Sequence, residues 1–254
     1  MKFVVLKKNV LKYVFVVALV CVCLAINVVG SPLSVVYFNQ TPRLVPIYNV
    51  ETDEKQVAIT FDSAWGADKT QGILDLLKEY NVNATFFLVG FWVDKYPDMV
   101  KAIDEQGVEI GTHSNTHPDF VKLSAEQMEM ELTASIEKIT SITGKKVELF
   151  RAPYGSYNNT MLNIAKDLGL TTIQWDVDTL DWKGLTGTQI LDRVMSKVQN
   201  GSIILCHNNS DNILEALRLV LDRLTTAGYK ITSVGDLILK ENFYIDHAGV
   251  QRKN

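Results

Sequence analysis

The chain has 254 residues, 47% of them hydrophobic and 21% charged, and a formal net charge of −4. That is enough chain for one large domain, and the balance excludes a low-complexity or disordered polymer. No repeat recurs at a fixed period, and an acidic chain without a basic patch or nucleic-acid motif is not expected to bind nucleic acid.

The first thirty residues stand apart. Lys2, Lys7, Lys8 and Lys12 precede a run, 13–30, that carries no charge. Without those four lysines the remainder has 21 basic and 29 acidic residues, a net charge of −8. The run is long for a signal-peptide core and a little short for a spanning helix of about 20 residues. Val28 and Gly30 before Ser31 make only a weak cleavage site. An uncleaved anchor is therefore expected ahead of a cleaved signal, with the lysine-rich flank on the cytoplasmic side and the part beyond the run outside. Cys21 and Cys23 fall in this segment. Cys206, alone beyond it, cannot belong to a disulfide scaffold; inside the apolar run 203–206 it reads as a small buried hydrophobe.

Residues 31–54 read as a lead-in linker, broken by Pro32, Pro42 and Pro46. From 55 to 240 strands and helices alternate, and 241–254 reads as a polar tail. Strands are predicted at 56–62, 84–89, 108–112, 149–151, 171–175, 202–207 and 229–233. Helices are predicted at 69–80, 97–106, 124–144, 159–168, 188–198 and 213–227. Ser124 with Gln127 signals a capping box, and Gly107, Gly144, Gly169 and Gly228 close helices. Such alternation implies a parallel sheet, either open and doubly wound or closed into a barrel.

The reactive side chains fall at strand ends. Asp62 ends the first strand, His113 follows the third, Arg151 ends the fourth, Asp178 and Asp181 follow the fifth, and His207 ends the sixth. In barrels of parallel strands the carboxyl-terminal ends converge on one face, which holds the active site. Three of the four histidines, His113, His117 and His207, lie in these segments; His247, in the tail, reads as solvated. H-S-N-T-H at 113–117 has an H-x-x-x-H spacing, which on a helix would place two imidazoles on one face, as zinc requires. The intervening Ser, Asn and Thr and the following Pro118 favour a loop or a single turn.

Five segments occur in order: T-F-D-S-A-W-G at 60–66, H-S-N-T-H at 113–117, R-A-P-Y-G at 151–155, D-V-D-T-L-D-W at 176–182 and L-C-H at 205–207. In order and spacing they resemble the polysaccharide deacetylases (carbohydrate esterase family 4, the NodB homology domain), over roughly 56–239. The resemblance implies a distorted (β/α)7 barrel and metal-dependent hydrolysis of N-acetyl groups. It implies that His113 and His117 bind a divalent metal, zinc or another such as cobalt. It makes Asp62 the general base and His207 the general acid, with Arg151 holding Asp62 and Asp181 orienting His207. The Tyr154 N–H becomes an oxyanion donor, and Trp182 and Leu205 wall the acetyl pocket. The stretch V-E-T-D-E-K-Q at 50–56, with the amino-terminal anchor, resembles the sporulation-associated branch, whose substrate is spore peptidoglycan.

One departure bears on the metal. The common pattern is T-F-D-D-G, in which the second Asp is the third metal ligand; here Ser63 stands there and the loop lengthens to residue 68. Asp68, the Ser63 hydroxyl or a water could complete the set, although Asp68 also reads as an exposed start to the next helix. A non-catalytic, glycan-binding envelope protein is the competing reading. A metallopeptidase lacks its H-E-x-x-H pattern.

Overall fold

The computed structural model describes residues 8–28 and 42–254, in two units, Met1–Arg43 and Leu44–Asn254. In the first, Lys8–Val28 forms a helix, α1. Among the described residues no helix is long and apolar enough to cross a membrane. The expected cleavage point before Ser31 and the linker residues 31–41 lie outside the described residues.

The second unit opens with β1 (Asn49–Val50), β2 (Gln56–Ser63), α2 (Thr70–Glu79), β3 (Thr85–Leu88), α3 (Gly90–Lys95), α4 (Pro97–Glu105) and β4 (Glu109–Thr112). It continues with α5 (Ala125–Thr143), β5 (Leu149–Phe150), α6 (Asn159–Asp167), β6 (Thr171–Thr172), β7 (Val177–Asp178), α7 (Gly187–Met195) and β8 (Ile203–His207). It ends with α8 (Ile213–Thr226), β9 (Lys230–Thr232), α9 (Val234–Leu237), β10 (Phe243–Ile245) and β11 (Val250–Lys253). The capping box at Ser124 and Gln127 forms, and Gly144 closes α5 in the left-handed conformation.

The main sheet runs β6-β5-β4-β3-β2-β8-β7, with β9 against the amino-terminal half of β2, and its ladders are parallel. The seven expected strands are all present. The eighth, β7, has two residues, too few to leave a periodicity in the sequence.

Side-chain parity decides what faces the barrel interior, because successive residues of a strand point to opposite faces. Val57, Ile59 and Phe61 of β2 join the outer core beneath the helices, together with Phe86, Leu88, Phe150, Ile204 and Cys206. Cys206 is thus the buried hydrophobe expected of it. Ala58, Phe87, Leu149 and Ile203 point inward and pack with Val234, Leu237 and Ile238, which close the bottom. The same parity aims Asp62, Arg151, Leu205 and His207 into the barrel mouth.

The barrel is stitched between β6 and β8 by chain expected to be an irregular lead-in. Ile47, fully buried, bridges Ile173, and Asn49 bridges Ser202. The half-buried Asp176 carboxylate accepts hydrogen bonds from the Asn49 side chain, the Ser202 hydroxyl and the Ile203 N–H. Gly201, at φ +79°, passes so near the Val50 carbonyl that a Cβ would sit 1.7 Å from its oxygen. The segment expected to be a polar tail is folded too: β11 pairs with β10 and with β1, and the buried Gln251 side chain bonds the Leu239 backbone at both ends. Composition hid this, because alternate polar residues of an edge ladder face solvent. His247 is exposed.

Candidate active site

Asp62 and His207 are register partners on the adjacent strands β2 and β8. Parallel register puts their side chains on one face, at the carboxyl-terminal ends. Asp62 Oδ1 accepts a hydrogen bond from Arg151 at 2.8 Å. The Arg151 guanidinium is wholly buried; it also donates to the Thr60 hydroxyl at 2.7 Å and the Gln174 carbonyl at 3.1 Å. It lies over the Phe87 ring, 4.2 Å from the centroid. Burial alone would raise the Asp62 pKa, but the charge of Arg151 and the nearby imidazoles outweigh it, and the carboxyl is held below its ordinary value.

His207 is set the other way. Its Nδ1 donates to Asp181 Oδ1 at 2.7 Å, and its backbone N–H donates to the other oxygen of the same carboxylate at 2.7 Å. Burial works against the imidazolium, yet the bond to Asp181 and the surrounding carboxylates prevail, so its pKa is raised.

His113 Nδ1 lies 2.7 Å from the Arg151 carbonyl oxygen. A carbonyl only accepts, so that nitrogen carries the proton and Nε2 presents a lone pair. Burial, the largest influence, lowers the His113 pKa. Nε2 stands 3.4 Å from Asp62 Oδ2, one acceptor facing another. His117, whose ring centroid is 4.9 Å from that of His113, has a pKa lowered to about 4, chiefly by burial and then by His113. Its Nδ1 is buried without a hydrogen-bond partner among the described residues.

This electron-rich, donor-poor cluster fits a divalent cation, with His113 and His117 as the side chains to hold it. A third ligand, a carboxylate, is missing: among the described residues no three His, Cys, Asp or Glu side chains form a metal-binding group. Ser63 is fully buried, and its hydroxyl has no partner among the described residues. Asp68 is exposed, just ahead of α2, and neither residue lines the cavity.

The cavity, ≈ 650 Å³, is lined by Asp62, His113, His117, Tyr154, Asp178, Asp181, Trp182, Leu205 and His207, together with Trp65 and Asn208. It lies within the range of about 300–1,000 Å³ typical of small-molecule sites. Its loops hold unusual backbone. Ser114, His117, Tyr154 and Leu180 have φ between +52° and +71°, a region that non-glycine residues occupy at a cost and that concentrates at functional sites.

Two structural supports escaped sequence reasoning. Glu131 of α5 accepts from the Asn115 and Thr116 N–H groups and the Thr116 hydroxyl, fixing the loop between the two histidines. Asn208, 2% exposed, donates to the Gly66 carbonyl and the Thr70 hydroxyl, fastening the end of β8 to the loop after β2. For Asn208 the signal was its place beside a reactive histidine at a strand end. For Glu131, one of several acids on a helix, there was none.

The polysaccharide deacetylase family model matches residues 49–173. Over 193 residues the chain is 35% identical to the uncharacterized protein YlxY of Bacillus subtilis, spanning 76% of this chain and 60% of that one, so it covers less than two thirds of that relative. It is 34% identical over 198 residues to the peptidoglycan-N-acetylmuramic acid deacetylase PdaA of Bacillus subtilis, spanning 76% of this chain and 75% of PdaA. Among solved structures it is similar to BA3943 of Bacillus anthracis, a family 4 pseudoenzyme, at 36% identity and a TM-score of 0.74, over 79% of this chain and 70% of that one. A mutant of BA3943 with restored enzymatic activity matches at 37% identity with the same TM-score.

Proposed function

The chain belongs to the polysaccharide deacetylase family, and from that premise we propose that it hydrolyses N-acetyl groups on the amino sugars of peptidoglycan. The observation that carries this reading is the opposed setting of two register partners. Against the cost of burial, Arg151 holds the Asp62 pKa below its ordinary value, and Asp181 holds that of His207 above its own. Two titratable groups pushed apart in pKa at one site are what a paired base and acid require.

Asp62 takes the proton of the attacking water as its oxygen bonds to the acetyl carbon. The backbone N–H of Tyr154 donates to the oxyanion, a contribution of about 3–4 kcal/mol in other hydrolases. His207 then protonates the nitrogen as the C–N bond breaks, releasing acetate and a free amine. Trp182 and Leu205 wall the acetyl group. A divalent metal, zinc or cobalt, bound by His113 and His117 would polarise the carbonyl and acidify the water.

The lysines ahead of the uncharged run support an anchored protein facing out of the cytoplasm. The resemblance of its amino-terminal part to the sporulation branch points to spore cortex or cell-wall peptidoglycan, and in a spore former to the space around the forespore.

A second reading has a specific observation behind it. Ser63 removes the carboxylate ligand, and the similarity to a pseudoenzyme is as high as that to active relatives, which favours non-catalytic glycan binding. Acetate release from peptidoglycan, measured with added zinc or cobalt, separates the two. Release that is lost in Asp62→Asn and His207→Ala, with glycan binding kept, supports catalysis; binding without release under every metal supports the second reading.

A further inference from the structure

Exposed aromatic rings gathered around one cavity mark a binding surface. The three most exposed aromatic side chains of the described barrel are Tyr154, Trp65 and Trp182, at 68%, 66% and 61%. All three line the same cavity. Tyr154 follows β5, Trp65 follows β2 and Trp182 follows β7, so the aromatics flank the Asp62–His207 pair on both sides in strand order. Trp65 belongs to the lengthened loop at 63–68, and the hydrolysis described above gives it no task.

The loop beneath Trp65 is firmly held. The Gly66 carbonyl accepts from Trp92 Nε1 at 2.7 Å and from Asn208 Nδ2 at 3.0 Å. The Lys69 N–H donates to Asn209 Oδ1 at 3.3 Å. Gly66, at φ +69°, lies so close to Asn209 that a Cβ would fall 2.1 Å from its Nδ2. The indole itself meets the His117 ring edge-on, with centroids 5.0 Å apart. An exposed ring on an anchored loop loses little freedom when a ligand covers it.

We infer that Trp65 is a stacking platform for a second sugar ring, next to the one whose acetamide faces Asp62 and His207. A pyranose presents a face of C–H groups that packs on the negative face of an indole, while its hydroxyl edges stay in contact with water and polar groups. This inference rests on the glycan reading of the site given above.

The test is calorimetric titration of the full chain with N-acetylglucosamine oligomers, from the monomer to the pentamer. The unaltered protein should bind longer oligomers more tightly. Trp65→Ala should weaken pentamer binding about tenfold, the order of a lost aromatic stacking contact, and leave monomer binding nearly unchanged. Trp65→Leu, which keeps bulk and apolar cover without a π face, should behave like Trp65→Ala, and Trp65→Phe should retain most of the affinity. Unchanged pentamer affinity in the Ala and Leu variants, or an equal loss for monomer and pentamer, overturns the platform and leaves the functional reading standing. No binding of any oligomer by the unaltered protein overturns both.

Discussion

Both oxygens of the Asp181 carboxylate grip His207, one at the ring Nδ1 and one at the backbone N–H, each at 2.7 Å. The ring is oriented and its positive charge stabilised by the same group that fixes its main chain. Because the folded-state pKa of His207 is raised, the pair contributes stability that is fully present below the unfolded value of about 6.5 and is lost as pH rises through the raised folded value. Asp181→Asn should therefore destabilise the protein more in mild acid than at alkaline pH. It should also move the alkaline limb of any pH–rate profile downward, since the imidazolium would lose its proton sooner. Urea unfolding across pH, with NMR titration of the His207 ring, checks both.

Arg151 neutralises a carboxylate that has almost no access to water. Arg151→Met should cost about 3–5 kcal/mol, because it strands a buried charge. Adding Asp62→Leu should recover much of that loss, a non-additivity that denaturant unfolding of the single and double variants will read. Full additivity would mean that Arg151 acts mainly through its packing on Phe87.

Ser63→Asp would place a carboxylate where the hydroxyl is buried and unpartnered. Without metal this variant should be less stable than the unaltered chain by about 1–3 kcal/mol, since the new polar group has no donor. Zinc should then raise its melting temperature more than that of the unaltered protein, because binding to the folded state alone stabilises by mass action. An equal zinc response in the two chains would show that the third ligand is already supplied elsewhere.

Asn208→Ala removes two side-chain bonds that join the end of the His207 strand to the Trp65 loop at Gly66 and to the start of α2 at Thr70. The stranded Gly66 carbonyl keeps Trp92, so the cost should be about 1–2 kcal/mol. Amide hydrogen exchange should quicken in the 64–70 loop while the interior strands stay protected. Unchanged exchange there would show that the bonds from Trp92 and to Asn209 suffice to anchor the loop.

Much of this protein was legible in its sequence, for identifiable reasons. The parallel α/β sheet followed from short apolar runs alternating with capped, amphipathic helices, and the family resemblance chose the barrel over the open sheet. The period of two along β2 and β8 forces Asp62 and His207 inward once Val57, Ile59, Phe61, Ile204 and Cys206 face the helices. The resemblance to the family's motifs, more than the H-x-x-x-H spacing alone, pointed to the histidine pair and to the missing carboxylate at Ser63. Only the tertiary structure brought in Ile47 and Gln251, whose surroundings read as linker and tail, because pairing with distant strands leaves no local period. It alone revealed Glu131 and Asn208, polar residues that act by bonding backbone groups far away in sequence. The opposed pKa shifts of Asp62 and His207 were likewise decided in three dimensions, since pKa depends on burial and neighbours that register creates.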